Sequence, residues 1–277
     1  MTELAQEIVI RPGHTARHYW SGLWLYRELL WFLSWRDVLV RYKQTTIGVA
    51  WALVRPLLTM LVFMVVFSVV ARLPSEGKAP YAVLVFAGLL PWFFFASALS
   101  ETSNSLLANE RMITKIYFPR IVIPLSSILV SFVDFVISGF LLLSVFLWFS
   151  FYPDWRAVFV PLFGLLALSA ALGPGLLMSA LNVKFRDFRY VVPFIVQIGL
   201  YISPVGYSSG LIPEPWRILY SLNPMVGVID GFRWSLLAGE FSLYWPGFMA
   251  SLAINLLLLI AGLAYFRRAE RSFADVI

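Results

Sequence analysis

IVIPLSSILVSFVDFVISGFLLLSVFLWF, residues 121–149, contains 29 residues and one charged side chain, Asp134. An α-helix of this length would extend about 43 Å, whereas the hydrocarbon core of a bilayer is about 30 Å thick. A helix on the surface of a soluble protein carries charged residues along its solvated face. The stretch therefore predicts a helix that crosses a membrane.

Five further apolar stretches share this pattern: residues 57–71, 81–100, 157–181, 190–212 and 246–266. The first is too short to cross a bilayer alone, so we expect it to extend back through Pro56 and Arg55 to about Ile47, with the Arg55 side chain reaching the interface. Of the 277 residues, 60% are hydrophobic and 13% charged, whereas soluble chains carry about 25% charged residues. The sequence predicts an all-α integral membrane protein with six transmembrane helices.

Lysine and arginine are distributed unevenly between the two sides of these helices. Of the 21 Lys and Arg residues, 16 lie on the side of the N-terminus and 5 on the other side. The positive-inside rule then places both termini in the cytoplasm. The positive-inside rule thus accounts for the excess of basic residues behind the net charge of +6, which does not indicate binding of nucleic acid. The first twenty residues contain no apolar segment of signal-peptide length, so we expect the first span to direct insertion.

Residues 20–43 form an aromatic and leucine-rich segment that is interrupted by charge. Arg27, Ser34, Asp37 and Arg41 are spaced so that they form one polar stripe on a helix. We expect an amphipathic helix in the plane of the lipid headgroups. A seventh transmembrane helix is the alternative, and four charged residues disfavour it: Arg27, Glu28, Arg36 and Asp37.

The fifth predicted span and the segment after it are rich in helix-breaking residues. Span 190–212 contains Ser203-Pro204-Val205-Gly206, and proline and glycine recur among apolar residues up to Trp245. Proline lacks a backbone donor and glycine weakens a helix. Non-helical backbone survives at membrane depth only where protein or a water-filled cavity satisfies it. We therefore predict short re-entrant helices within 213–245.

Motifs for catalysis are missing from the sequence. Gly77-Lys78-Ala79 and Arg72, at the preceding glycine position, do not fit a phosphate-binding loop. The chain has no cysteine, and His14 and His18 lie in a polar segment with few other ligand types. We expect no enzymatic activity, no cofactor and no metal site in this chain.

Asp134 lies in the middle of span 121–149, where a charge costs several kcal/mol. One hypothesis is a proton relay or an ion site. The other is a structural carboxyl that binds a neighbouring helix, with Asn255, Gln197 or serines as possible partners. A lone carboxylate without a second acid or a histidine makes a poor relay, which favours the structural role.

Aromatic residues make up 17% of the chain, and several lie within or at the ends of spans. Rings that face a pore could stack on the apolar faces of sugars and still let them slide. The alternative is packing and anchoring at the membrane interface, as in most membrane proteins. The candidate pore contacts are Trp51, Phe63, Phe67, Trp92, Tyr201 and Tyr207.

Six motifs follow one another along the chain. The first two are RDVLVRYKQTTIGVAW at 36–51 and Phe118-Pro119-Arg120 before the third span. NVKFRD at 182–187 follows the fourth span, and Ser203-Pro204-Val205 lies in the fifth. LNPMVGVIDGFR at 222–233 and ERSFADVI at 270–277 complete the pattern. In this order the six motifs resemble the permease subunit of bacterial polysaccharide ABC exporters, and the O-antigen branch in particular.

The resemblance implies a homodimeric permease of the bacterial inner membrane that pairs with two copies of a separate ATP-binding cassette subunit, where ATP and Mg²⁺ would bind. The substrate would be an undecaprenyl-linked polysaccharide. Residues 1–46 would form a cytoplasmic N-terminus with a gate helix, 47–266 the six-span domain with a re-entrant pair at 213–245, and 267–277 a cytoplasmic tail.

Two sets of residues take roles from this resemblance. The gate helix would act through Arg36, Asp37, Arg41, Tyr42 and Lys43. Residues 104–118 would form a cytoplasmic coupling helix that contacts the ATPase through Asn109, Glu110, Arg111, Met112 and Lys115. Other classes remain open: a capsule or teichoic acid exporter of the same family, a drug or small-lipid ABC exporter, and a proton-coupled secondary transporter that uses Asp134.

Overall fold

A computed structural model describes residues 24–43, 49–116, 118–185, 187–270 and 273. Within these ranges the secondary structure is helical. The α-helices are α1 Arg27–Lys43, α2 Val49–Phe63, α3 Tyr81–Ala108, α4 Glu110–Ile113, α5 Val122–Trp148, α6 Val160–Lys184, α7 Phe188–Ile202, α8 Glu214–Tyr220, α9 Pro224–Leu236 and α10 Trp245–Ala269. A π-helix at Met64–Val70 continues α2, and short 3₁₀ helices lie at Trp155–Phe159 and Ser209–Leu211. Both histidines and most of the C-terminal motif lie outside the described residues.

Five helices of the described part are long and apolar enough to cross a membrane: Ala50–Val70, Tyr81–Ala108, Val122–Trp148, Trp155–Lys184 and Trp245–Ala269. They confirm five of the six predicted spans. The backward extension of the first span through Pro56 and Arg55 is also confirmed as far as Val49, where α2 begins.

The fifth predicted span, 190–212, is not one continuous helix. α7 has 15 residues and ends at Ile202, so it extends only about 23 Å. Ser203 has extended backbone angles, and Pro204 cannot donate the next helical hydrogen bond. The predicted interruption at Ser203-Pro204-Val205-Gly206 is therefore confirmed, and the count of six crossings stays a prediction.

Helix α3 forms the centre of the molecule. Within its most apolar segment 89% of the residues are buried, compared with 17% to 33% in the four other spans. It packs against α2, α5, α6, α7 and α9. A helix that is apolar on all faces is expected in such a central position.

Helices α6 and α10 approach each other with their backbones in contact. A Cβ atom on Gly262 would overlap the backbone of Gly173, and one on Gly173 would overlap that of Leu258. Small residues at helix interfaces allow this close approach in membranes. The Gly173-Pro174-Gly175 sequence is accommodated within α6, which runs through it without interruption.

The two short helices α8 and α9 occupy the segment for which re-entrant helices were predicted. Almost all of α9 is buried, and it packs against α3, α6 and α10. Its N-cap is Asn223, whose side chain accepts a hydrogen bond from the Met225 amide. The placement of these helices in the outer leaflet stays a prediction.

Helix α1 packs against α5, and its buried residues are Leu33 and Ser34. The tryptophans at positions 24, 31 and 35 are exposed. Of the predicted polar stripe, Arg27 is exposed, whereas Arg41 reaches carboxylates on α3 and α5. The C-terminal end of the stripe therefore faces neighbouring helices, and the placement of α1 at the lipid headgroups stays a prediction.

Candidate functional site

A cavity of about 360 Å³ lies between the C-terminal end of α1 and helices α2, α3, α5 and α7. Three kinds of side chain line it. The charged ones are Arg41, Arg55, Glu101 and Asp134; the hydroxyls are Tyr42, Ser97, Ser100 and Ser138; the remaining rings are Trp51, Phe93, Phe94 and Phe135. Arg55, Glu101 and Asp134 belong to candidate membrane spans. Ionisable residues in spans face a protein interior or an aqueous cavity and mark functional sites.

Arg41 lies between two carboxylates at one end of this cavity. Its guanidinium is 3.3 Å from an Asp134 oxygen and 3.5 Å from a Glu101 oxygen. The spacing of seven residues between Ser34 and Arg41 puts Arg41 on the inward face of α1, so it reaches both α3 and α5. The end of α1 is thereby tied to two membrane helices through charge.

The Tyr42 hydroxyl donates a hydrogen bond to the other oxygen of Asp134. Burial, together with this bond, raises the pKa of the Tyr42 phenol above its ordinary value. Asp134 thus has two partners on α1. The suggested partner Asn255 instead accepts from the Ser169 hydroxyl at 3.0 Å and donates to the Leu166 carbonyl.

Arg55 differs from Arg41 because it forms no ion pair within the part of the chain that the structure describes. Its guanidinium lies over the Phe93 ring, 5.5 Å from the ring centroid. A cation over an aromatic face is attracted by the ring electrons, and this attraction does not require a carboxylate partner. The cavity therefore contains one charge-paired region and one cation that is held only by a ring.

Of the six aromatic residues proposed as pore contacts, Trp51 lines this cavity. Phe63 is buried and packs edge-on against Phe67, and both lie over Gly206. Trp92 is buried against Gly199.

The two tyrosines lie at the end of α7. Tyr201 is exposed, whereas the Tyr207 hydroxyl lies 3.0 Å from that of Tyr220. A pore lined by all six rings stays a prediction, since it would require surfaces beyond this chain.

Sequence reasoning missed most of the cavity lining. Phe93 and Phe94 are in the Pro91–Phe95 run from which only Trp92 was selected, and in a helix these neighbours point in different directions. Glu101 directly follows the predicted span 81–100 and was given no role. A charged residue at the end of an apolar span was the signal that could have identified it as a candidate site residue.

The residues assigned to a gate helix have three different environments. Arg41 and Tyr42 line the cavity. Arg36 pairs with Asp37 at 2.7 Å and donates to the side-chain oxygen of Asn109 at 3.1 Å. Lys43 is exposed.

The residues assigned to a coupling helix surround the short helix α4. Glu110, Arg111 and Lys115 are exposed, whereas Met112 is partly buried against the cluster that contains Leu33. Asn109 binds α1 through Arg36. The three charged side chains are therefore available to a partner, and Asn109 and Met112 join α4 to the rest of the molecule.

The chemistry of the cavity suits a ligand that carries hydroxyl groups. Carboxylates, guanidinium groups and serine hydroxyls bind hydroxyls by donating and accepting hydrogen bonds. Aromatic rings offer apolar faces beside them. No cluster of side chains that could hold a metal ion occurs in the described ranges.

Comparison with known proteins supports a transport role. Residues 28–237 match the family described as ABC-2 type transporter. The O-antigen export system permease protein RfbA of Myxococcus xanthus is 28% identical over 257 residues, which cover 92% of this chain and 97% of that protein. The protein of the same name from Klebsiella pneumoniae is 28% identical over 251 residues, covering 90% and 95%. The polysialic acid transport protein KpsM of Escherichia coli is 21% identical over 263 residues, covering 91% and 97%. The family match extends over most of the described helices, so this multi-pass membrane protein belongs to the ABC-2 type transporter family.

Proposed function

We propose that this chain is the transmembrane subunit of an ATP-driven exporter that moves lipid-linked polysaccharide of the O-antigen type across the bacterial inner membrane. The observation that carries the proposal is the similarity to O-antigen export permeases over 90% or more of both chains. A transport subunit that is not itself an enzyme agrees with relatives that are named permeases or transport proteins.

The cavity supports a carbohydrate substrate. Sugar rings present apolar faces that stack on aromatic side chains and hydroxyls that bind charged and polar groups. Trp51 and Phe93 supply rings next to Ser97 and Ser100 in the same cavity. Stacking on a ring is worth about 1 to 3 kcal/mol in the nucleic-acid analogue, which is strong enough to hold a sugar and weak enough to release it.

The proposed assembly contains two copies of this chain and two copies of an ATP-binding cassette subunit. ATP and Mg²⁺ bind the partner, and both termini of the permease are cytoplasmic. The exposed charges Glu110, Arg111 and Lys115 on and beside α4 support docking of the partner there. The cavity combines charged side chains with apolar walls, which supports a substrate that has both polar and apolar parts.

A capsule exporter is the second candidate. The observation in its favour is the polysialic acid transport protein, which aligns with 91% of this chain. Its identity of 21% is lower than the 28% found for the O-antigen permeases, and the O-antigen function is therefore preferred.

Deletion of the gene in its own host tests the proposal. We expect O-antigen to disappear from the cell surface and lipid-linked polymer to accumulate inside, and a plasmid copy of the gene to restore export. The change Trp51→Ala should lower export several-fold because it removes a ring from the cavity.

The matched control is Trp148→Ala at the end of α5, where the ring is exposed and away from the cavity. This variant should export normally. Normal surface polysaccharide in the deletion strain would contradict the proposed function, and loss of capsule instead of O-antigen would favour the second candidate.

A further inference from the structure

The backbone directly after α7, residues 203–208, is not helical. Ser203 ends the helix in an extended conformation, and the Val205 amide turns back to the Ser203 carbonyl at 2.7 Å. The carbonyls of Val205, Gly206 and Tyr207 therefore need hydrogen-bond donors from elsewhere. In an apolar environment an unsatisfied carbonyl costs several kcal/mol.

Two side chains satisfy all three of these carbonyls. Arg233 of α9 donates through Nη1 to the Tyr207 carbonyl at 2.7 Å and through Nη2 to the Val205 carbonyl at 2.9 Å. The Tyr81 hydroxyl donates to the Gly206 carbonyl between them. The planar guanidinium presents its donors as a fork, which matches carbonyls two residues apart.

Arg233 also joins this segment to α3. Its Nε lies 3.4 Å from the Leu84 carbonyl, and the whole side chain is buried. A Cβ atom on Gly88 would lie 3.0 Å from the Val205 carbonyl oxygen. The glycine thus lets the segment lie directly on α3, within reach of the guanidinium.

A buried guanidinium needs compensation for its charge. Asp230 lies three residues before Arg233 on α9, on the same side of the helix. One of its oxygens accepts from the Ser209 hydroxyl at 2.7 Å. The acid and the carbonyls together make a buried arginine tolerable at this position.

The segment held in this way carries Tyr207, whose hydroxyl contacts that of Tyr220 on α8 at 3.0 Å and the Ile202 carbonyl at 3.1 Å. We infer that Arg233 is a positioning residue for transport: it fixes residues 203–208 on α3 and thereby places the Tyr207–Tyr220 pair beyond the end of α7. Helices α3, α7 and α9 then move as one unit at this end of the molecule. The role in transport rests on the proposed function, whereas the positioning itself does not.

Cysteine labelling of the purified full-length protein tests the positioning, because the chain has no cysteine of its own. Val205 is fully buried, so Val205→Cys alone should react slowly with a hydrophilic maleimide. Adding Arg233→Gln should raise the labelling rate at least tenfold, and Arg233→Lys should raise it less. Adding Arg217→Gln, the matched control on α8, should leave the rate unchanged, since that guanidinium lies over the Tyr244 ring.

The role in transport is tested by the amount of polysaccharide exported, divided by the amount of folded permease that gel filtration recovers. We expect it to fall in Arg233→Gln and to recover partly in Arg233→Lys. If Arg233→Gln yields no folded protein, Arg233→Lys and Tyr81→Phe take its place, and faster labelling with lower export in either supports the inference.

Two results would overturn the inference: an unchanged labelling rate at position 205 in all folded variants, or faster labelling with export at the normal level. The gene deletion separates this test from the proposed function. If labelling is faster in the variants but deletion of the gene does not affect polysaccharide export, the positioning role of Arg233 stands and the proposed export function is contradicted.

Discussion

At the scale of single residues, Asp134 shows how a charge is kept inside a membrane helix. Its two oxygens bind Tyr42 and Arg41, both from α1. A carboxylate in a span is costly unless such partners satisfy it. The structure thus supports the structural role for this acid, with partners on the helix that sequence analysis had placed at the membrane surface.

The residue-scale prediction concerns the change Tyr42→Phe. Loss of the hydroxyl removes a hydrogen bond to a charged group, worth about 1.5 to 3 kcal/mol, and the thermal unfolding temperature in detergent should fall. Tyr26→Phe is the control, because Tyr26 packs by its ring against the cluster around Leu33. Equal unfolding temperatures for Tyr42→Phe and the unchanged protein would contradict a stabilising bond to Asp134.

The sequence identified Asp134 as unusual but not its partners. Its charge is visible in any hydropathy profile, whereas Tyr42 is 92 residues away in sequence and in a segment expected to lie elsewhere. Arg233 was included in a motif without any role. The contacts of Arg233 depend on the directions of three backbone carbonyls in the folded chain, and the order of residues in the sequence does not reveal these directions.

At the scale of elements, length and hydropathy predicted the spans correctly wherever the helix is continuous. The break directly after α7 was also predicted, since Pro204 and Gly206 are helix breakers with a known physical effect. Sequence alone could not predict which face of α1 packs against the rest of the molecule, because a polar stripe can face either water or the polar groups of neighbouring helices. Helix α4 has only 4 residues, and its position came from resemblance alone.

The element-scale prediction concerns docking at α4. We expect the double change Arg111→Ala and Lys115→Ala to weaken ATPase binding by about tenfold, equivalent to about 1.4 kcal/mol, and to lower export. Both side chains are exposed, so the fold should be unaffected. Co-purification with the ATPase subunit measures the effect.

Met112 is unsuitable for this test because it packs inside the molecule. Arg189→Ala, an exposed arginine at the start of α7, is the matched control and should bind the ATPase normally. Normal co-purification and export by the double variant would exclude α4 as the docking element.

At the scale of the whole molecule, the distribution of charge predicts the orientation in the membrane. The excess of 16 Lys and Arg on one side over 5 on the other predicts cytoplasmic termini. Lys78 and Lys115 lie in segments on opposite sides in this topology, and both are exposed. A cysteine at either position would therefore be within reach of a labelling reagent.

The whole-molecule prediction follows from these positions. In intact spheroplasts, Lys78→Cys should react with a membrane-impermeant maleimide and Lys115→Cys should react only after lysis. The chain has no other cysteine that could obscure the result. The reverse pattern would invert the topology and place α4 outside the cell.

The polar contacts that α1 makes with distant residues have a consequence for how the protein is made. The Arg36 to Asn109 bond spans 73 residues and the Tyr42 to Asp134 bond spans 92. A ribosome adds about 5 to 20 residues per second, so Tyr42 waits about 5 s or longer before Asp134 is synthesised. During that interval Tyr42 lacks this partner, and an amphipathic helix of this kind binds at the lipid headgroups. The packing of α1 against α5 is therefore a late step, which begins only once translation has passed the third span.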